Sequence, residues 1–319
     1  IKRVEGYRNF CNKLWNASRF INLNIDSFGI SDKRSSTIVD HWIDFKFNET
    51  VVKVNKSFEE FRFDLATKAI YEFIWYELCD WFIELNKIDL NEGGSKKSEI
   101  NRSMVDVLEK TLRLAHPLMP FITEDIWQQL KKYNFSKEKS ITISSYPIES
   151  KELSDSGFNT IEWLKEVVSG IRNIRGELSL KPSIQIPCIF KNGSDKEKGF
   201  LEEVEMYIVK LSGLKEITWT HNESDSPPSS IFTKENLKVL IPLEGLIDAK
   251  EESERIVKKI SKLAKEKEML EAKLSNKKFT ENAPSELVSN QKDRFSVLET
   301  ELDSLNNQVL ELKKLIEGN

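Results

Sequence analysis

Ile70-Tyr-Glu-Phe-Ile-Trp-Tyr-Glu-Leu-Cys-Asp-Trp81 is the stretch that decides the fold class. Ile70, Phe73, Ile74, Glu77, Leu78 and Trp81 fall every three to four residues, the period of an α-helix and not of a strand. Aromatics at that spacing read as the core of a helical bundle rather than as a cofactor box. Working outward, helical patterns run over about Val4–Asn22, Ile38–Ser57, Arg62–Leu85 and Ser98–Lys132. Breaks bearing Gly or Ser separate them at Ser27–Ser36 and Asn91–Ser95. His116, next to Pro117 in an apolar run, reads as structural. The fold class expected is mainly α.

The texture changes after Ile141. Ile161–Glu177 and Lys196–Leu211 read as helices, Ile184–Phe190, Ile217–Thr220 and Leu237–Pro242 as strands, and the polar Asn222–Ser230 with its Pro-Pro pair as a loop. Farther on, Ile256, Ile260, Leu263, Lys267, Leu270 and Leu274 alternate spacings of four and three. Phe295, Leu298, Leu302, Leu305, Val309, Leu312 and Ile316 repeat the pattern, with a break at Phe279–Pro284 between the arms. Two equal heptad arms joined by a short turn predict an antiparallel coiled-coil hairpin, each arm roughly 45 Å long at about 1.5 Å per residue. Three regions are expected: a helical bundle over 1–150, a small α/β domain over 151–247 and the hairpin over 248–319.

Composition narrows the function. Forty-eight basic against fifty-two acidic residues give a net charge of −4, so contact with a polyanion must come from local patches. Three scattered cysteines, Cys11, Cys79 and Cys188, fit a reducing compartment and are too few for a disulfide framework. The richest apolar stretch, Tyr71–Leu85, is interrupted by Glu72, Glu77, Asp80 and Glu84, so no membrane span is expected. The chain opens at Ile1 directly in a helical pattern, which reads as a piece of something longer. No His or Cys pair has metal-ligand spacing, Gly93-Gly94 follows no strand, and no carboxylate pair stands out as an acid/base couple. No catalytic residue is assigned.

Two surfaces remain. On the first helix Tyr7, Phe10, Cys11, Leu14, Ser18 and Ile21 share one arc and read as its buried face. Asn9, Asn12, Lys13, Asn16, Arg19 and Phe20 cluster on the opposite side. An aromatic within an Asn/Lys/Arg face either packs on a neighbouring loop, such as that of Phe28, or offers a platform for an unpaired base. The first hairpin arm carries nine basic against three acidic residues between Arg255 and Lys278, net +6; the second, 286–317, has net −3. The heptad register points Arg255, Lys258, Lys262 and Lys265 away from the seam as a cationic stripe, a solvated face in the plainer reading and a nucleic-acid contact in the other.

Val4-Glu-Gly-Tyr-Arg-Asn-Phe-Cys-Asn-Lys-Leu-Trp-Asn-Ala-Ser-Arg-Phe20 resembles the opening helix of the anticodon-binding domain of the valyl-tRNA synthetase family. Phe61-Arg-Phe-Asp-Leu65 with Leu78-Cys-Asp-Trp81, Leu114-Ala-His-Pro-Leu-Met-Pro-Phe-Ile-Thr-Glu-Asp-Ile-Trp127 and Ile171-Arg-Asn-Ile-Arg-Gly-Glu177 are similar to the same family in the same order. Lys273-Leu-Ser-Asn276 and the segment from Phe279 to Ala283-Pro284 resemble its coiled-coil arm. Sister synthetases for isoleucine, leucine and methionine share the helical plan. The Ala-Pro hairpin, and a single cysteine beyond residue 80, favour the valine family over the zinc-bearing isoleucine one.

The resemblance implies a non-catalytic, tRNA-reading region of a cytoplasmic class I aminoacyl-tRNA synthetase, a monomer that charges tRNA(Val) using valine, ATP and Mg²⁺. It implies no cofactor for this region, since the His-Ile-Gly-His-like and Lys-Met-Ser-Lys-Ser-like signatures are absent from the 319 residues. By motif it places anticodon contacts on Lys13 and Phe20, and the corner of the L-shaped tRNA on the stripe of Arg255, Lys258, Lys262 and Lys265. The other readings are a fragment of an isoleucyl-tRNA synthetase and a coiled-coil interaction module that dimerises.

Overall fold

The computed structural model describes residues 2–92, 94–133, 137–150, 157–220, 227–243 and 249–275, together with 291–292, 294–299, 302–303, 305–306 and 309–310. The chain divides into two compact units, Ile1–Trp163 and Leu164–Asn319.

The first unit is helical. Its elements are α1 (Lys2–Phe28), α2 (Ile38–Glu59), α3 (Phe63–Glu72), α4 (Ile83–Glu92), α5 (Lys97–Ala115) and α6 (Pro120–Leu130). Leu14, Ile21, Val39, Trp42, Ile43, Met104, Leu108 and Trp127 are fully or almost fully buried and form its core. Each such side chain stabilises the fold by roughly 1.5–3 kcal/mol relative to exposure. Thr37 starts α2 with a reciprocal cap: its hydroxyl accepts from Asp40 N at 3.2 Å, and Asp40 Oδ2 accepts from Thr37 N at 2.9 Å. The connection after α1 is pinned by buried Asn101, whose amide donates to the carbonyls of Asn24 (3.2 Å) and Gly29 (2.8 Å).

Two helical segments differ from the pattern read in the sequence. The predicted Ser98–Lys132 helix is two helices, because Pro117 and Pro120 lack the N–H of a continuing helix and crowd the preceding turn. Pro120 instead opens α6, where a missing donor costs nothing. His116 bridges this corner, its ring nitrogens 2.8 Å from Thr123 Oγ1 and 3.2 Å from Thr142 Oγ1, in keeping with a structural role.

The second difference lies in the deciding stretch itself. Between α3 and α4 the helix is wound as a π-helix over Phe73–Phe82. Its i→i+5 bonding widens each turn to between roughly four and five residues. Burial follows that winding, in the pairs Phe73/Ile74, Leu78/Cys79 and Phe82/Ile83, while Glu77 and Trp81 are only half-buried. A helix was expected and a helix is present, with a different face turned inward at its C-terminal end.

The second unit contains most of α7 (Phe158–Glu177), then β1 (Ile186–Lys191), α8 (Asp195–Ser212), β2 (Leu214–Thr220), β3 (Ser229–Lys234), β4 (Leu237–Pro242) and α9 (Ala249–Ser275). The four strands form one mixed sheet in the order β2-β1-β4-β3. β1 and β2 are parallel with α8 as the crossover, and β4 is antiparallel to both β1 and β3. Pro187 sits at a register shift in β1, where no ladder donor is required. β3 was not foreseen, because its Ser229-Ser230 start adjoins the polar Pro-Pro segment read as loop. A Cβ on Gly170 would come within 2.5 Å of the Phe232 ring, so a glycine is what lets α7 lie against β3.

Candidate nucleic-acid interface

α1 buries Phe10, Leu14, Ala17, Ser18, Ile21 and Ile25, spaced three, four and one apart along one stripe. Cys11 is half-buried as well. Tyr7, expected on that face, is 65% exposed. The first ring contacts made by α1 come at Phe10, so the ring one turn earlier is left in solvent. Phe10 lies in a stack of three rings: its centroid is 4.8 Å from that of Tyr71 and 6.4 Å from that of Trp75, with interplanar angles of 26° and 14°.

The opposite side of α1 is polar and open. Asn9, Asn12, Asn16 and Arg19 are all exposed. Lys13 and Phe20 lie at its margin, both partly covered. Lys13 Nζ is 2.5 Å from Asp80 Oδ1 and 3.8 Å from the centre of the Trp75 ring, so the cation is held between a carboxylate and a π-face. Phe20 lies under the ammonium of Lys87 at 5.1 Å from its centroid, and Lys87 donates to Glu84 Oε1 at 2.6 Å. Phe20 is thus half-buried with a cation over its ring, and the Phe28 ring has a different one, Lys97, 4.4 Å from its centre.

The sequence reading missed Trp75, Asp80 and Lys87. Trp75 and Asp80 are five residues apart, which an α-helix would set on different sides but the wider π turn brings toward one side, facing α1. Paired apolar positions recurring after five and then four residues, at 73/74, 78/79 and 82/83, were the available signal. Next to this cluster, burial pushes the Cys79 thiol up to about 12, so it is not a nucleophile at neutral pH.

On the second surface, Lys258, Lys262 and Lys265 of α9 are exposed and form no ion pair with any described residue. Arg255 belongs to α9, but its side chain lies outside the described residues. Of the seam positions, Ile256, Leu270, Leu298, Leu305 and Val309 are buried, and Lys267 donates to Glu299 Oε1 at 2.8 Å. That bond raises the Lys267 ammonium above its ordinary value. Arg294 donates to Glu266 Oε1 at 2.9 Å. The predicted turn Phe279–Pro284 lies outside the described residues, as do Leu312 and Ile316. Among the described residues no group of His, Cys, Asp and Glu could hold a metal ion, and no helix is long and apolar enough to cross a membrane.

Comparison with known proteins gives these surfaces a context. Residues 40–189 match a family model described as the anticodon-binding domain of tRNA ligases, and residues 248–313 match one described as the valyl-tRNA synthetase tRNA-binding arm. The first match defines the class: a chain built around the anticodon-binding domain of a tRNA ligase. Three similar relatives are valine–tRNA ligases. The valine–tRNA ligase of Francisella tularensis is 38% identical over 299 residues, covering 92% of this chain and 32% of that protein. That of Psychrobacter arcticus is 36% identical over 328 residues, covering 99% and 33%, and that of Legionella pneumophila strain Lens 38% identical over 311 residues, covering 95% and 34%. The chain belongs to the valyl-tRNA synthetase family. It spans about a third of the length of the curated relatives it matches.

Proposed function

We propose that these 319 residues form the tRNA-recognition region of a cytoplasmic enzyme that couples valine to tRNA(Val) at the expense of ATP. Three parts are assigned: the anticodon reader over 1–150, a junction domain over 151–247, and a monomeric coiled-coil arm over 248–319 that rests on the tRNA corner. The observation that carries this reading is the α1 face, where exposed Asn9, Asn12, Asn16 and Arg19 border the partly open ring of Phe20 and the held cation of Lys13. Unpaired anticodon bases offer what such a face accepts: flat rings to stack, edges to meet amides, and phosphates to meet cations. On the arm, Arg255, Lys258, Lys262 and Lys265 supply sequence-independent charge.

ATP and Mg²⁺ belong to the catalytic part of such an enzyme. The residues described here do not fit them, having neither an acidic metal-binding group nor a phosphate-cradling loop, and no chemical step is assigned to this region. The 319-residue chain is expected to bind a tRNA(Val) transcript and to discriminate against one with an altered anticodon. It is also expected to show no valine-dependent exchange of pyrophosphate into ATP. Exchange above a heat-killed control, or equal binding of both transcripts, would defeat the reading. A concentration-dependent dimer indifferent to RNA in light scattering would favour the interaction-module alternative.

A further inference from the structure

The Phe61-Arg-Phe-Asp-Leu65 motif plays no part in the interface above; it forms the corner between α2 and α3. α2 ends there in a closed turn, in which Arg62 N donates to Ser57 O at 2.8 Å and Phe61 N to Phe58 O at 3.1 Å. This pair of bonds puts Phe61 just past the helix cap, with φ at +57°. Glycine is the usual residue at that position, because a Cβ in the left-handed region crowds the carbonyl that follows.

Phe61 is also 80% exposed. A large ring thus stands in water on a backbone conformation that disfavours it, and neither feature helps this chain to fold. Phe63 and Leu65, within the next turn, are 53% and 40% exposed. The corner itself is braced. The Phe63 ring lies 5.9 Å from that of Phe58, which lies 6.4 Å from that of Tyr146, and Arg62 donates to both carboxylate oxygens of Asp64 at 2.9 and 2.8 Å. Backbone strain kept beneath exposed apolar side chains on a rigid corner marks a binding surface.

Charge and area narrow the guest. Between Lys56 and Glu72 three basic residues face four acidic ones, net −1. Each base lies within reach of a carboxylate: Lys56 of Glu60 at 3.9 Å, Arg62 of Asp64 at 2.8 Å and Lys68 of Glu72 at 3.8 Å. Such a corner suits an apolar protein surface better than a polyanion. Its three apolar side chains offer on the order of 300 Å², against about 800 Å² per partner in a stable dimer. A partner in the same polypeptide does not need that area, because the tether supplies its effective concentration. About two thirds of each relative's length lies outside the region matched by this chain.

We propose that the α2–α3 corner docks on the catalytic part of the parent enzyme, with Phe61 as the anchor seated in an apolar recess of that part and Phe63 and Leu65 beside it. The proposal rests on the functional reading above and names the surface through which the tRNA-recognition region would be held against the catalytic one.

The test is hydroxyl-radical footprinting of the full-length enzyme and of the 319-residue chain, both free of tRNA. Modification of Phe61 should be about fourfold lower in the full-length enzyme, as covering an 80%-exposed ring down to about a fifth of its area requires, with Phe63 protected alongside it. In the 319-residue chain Phe61→Gly should raise the melting temperature by roughly 2–4 °C, since the strain is relieved and no contact is lost, and should leave tRNA affinity unchanged. A fall of several degrees would make Phe61 a structural part of the corner and overturn the proposal. Equal modification of Phe61 in the chain and in an active full-length enzyme would overturn it as well. Protection that appears in the 319-residue chain as its concentration rises would assign the corner to a second copy. Protection that appears there on adding tRNA, with none in the full-length enzyme alone, would assign it to RNA. Either result makes the docking wrong. If the full-length protein shows no valine-dependent exchange of pyrophosphate into ATP, the functional reading fails and takes this proposal with it.

Discussion

Two helices of 27 residues each, α1 and α9, carry the lysines of the two candidate surfaces and hold them in opposite ways. Lys13 of α1 is enclosed: its side chain is 24% exposed, clamped by Asp80 and laid over Trp75. Lys258, Lys262 and Lys265 of α9 stand in solvent without an ion pair among the described residues. An enclosed cation has a fixed position before RNA arrives, so it can select geometry at little further entropic cost. Solvated cations have no fixed position and act through the summed field and the release of counterions. The first arrangement suits base-scale recognition in a loop, the second suits a backbone at any sequence.

If that contrast is right, the largest single-site effect belongs to α1. Phe20→Ala should weaken binding of an anticodon stem-loop by roughly 1–3 kcal/mol, the usual worth of one stacking contact, with a modest change in salt slope. Phe20→Trp should keep most of the affinity because the π-face survives. Phe20 is only half-buried, so the melting temperature should move far less than for Leu14→Ala, a core truncation expected to cost about 2–5 kcal/mol. A many-degree loss of melting temperature with unaltered binding would return Phe20 to the core.

The arm should show the complementary behaviour. Replacing Lys258, Lys262 and Lys265 with Gln keeps good helix formers at exposed positions, so stability should barely change. The slope of log K against log salt for full-length tRNA should become shallower by roughly 2–3 units if all three meet phosphates. Binding of an isolated anticodon stem-loop should stay as it was, since the two surfaces belong to different units. Unchanged affinity and slope with full-length tRNA would reduce the stripe to a solvated face.

The same contrast explains what could be read in the sequence. The heptad of α9 is visible because its stripe depends only on spacing within one helix: Ile256 and Leu270 are buried and Lys258, Lys262 and Lys265 exposed, as that spacing demands. The polar face of α1 is visible for the same reason, and Asn9, Asn12, Asn16 and Arg19 are exposed. The clamp on Lys13 was not, because Asp80 lies 67 residues away and faces α1 through a π winding that a 3.6-residue period does not anticipate. Tyr7 fitted the buried arc by angle, but angle alone does not say where along a helix its neighbours begin. β3 was hidden by the serines at its start, although Ile231-Phe232-Thr233 is a run of strand-favouring residues.

The smallest effect is the most discriminating for α1. Asp80→Asn removes one carboxylate beside Lys13 while keeping size and shape. The pair is partly exposed, with side-chain exposures of 24% and 44%, so its loss should cost folding roughly 0.2–1 kcal/mol and no more. Trp75 still lies under the ammonium at 3.8 Å, so the lysine should keep much of its direction. Binding gains from losing a negative charge near the phosphates and loses whatever Asp80 contributes to aiming Lys13. At half-exposed positions the first effect is the larger at low salt, because the remaining cation–π contact covers much of the second. Stem-loop affinity should therefore rise about two- to threefold at low salt and converge on the wild type as salt screens the field. Lys13→Ala should weaken binding under both conditions. If Asp80→Asn instead weakens binding as Lys13→Ala does, and equally at high salt, then carboxylate and lysine act as one rigid unit, and the enclosure of Lys13 depends on the ion pair rather than on the ring beneath it.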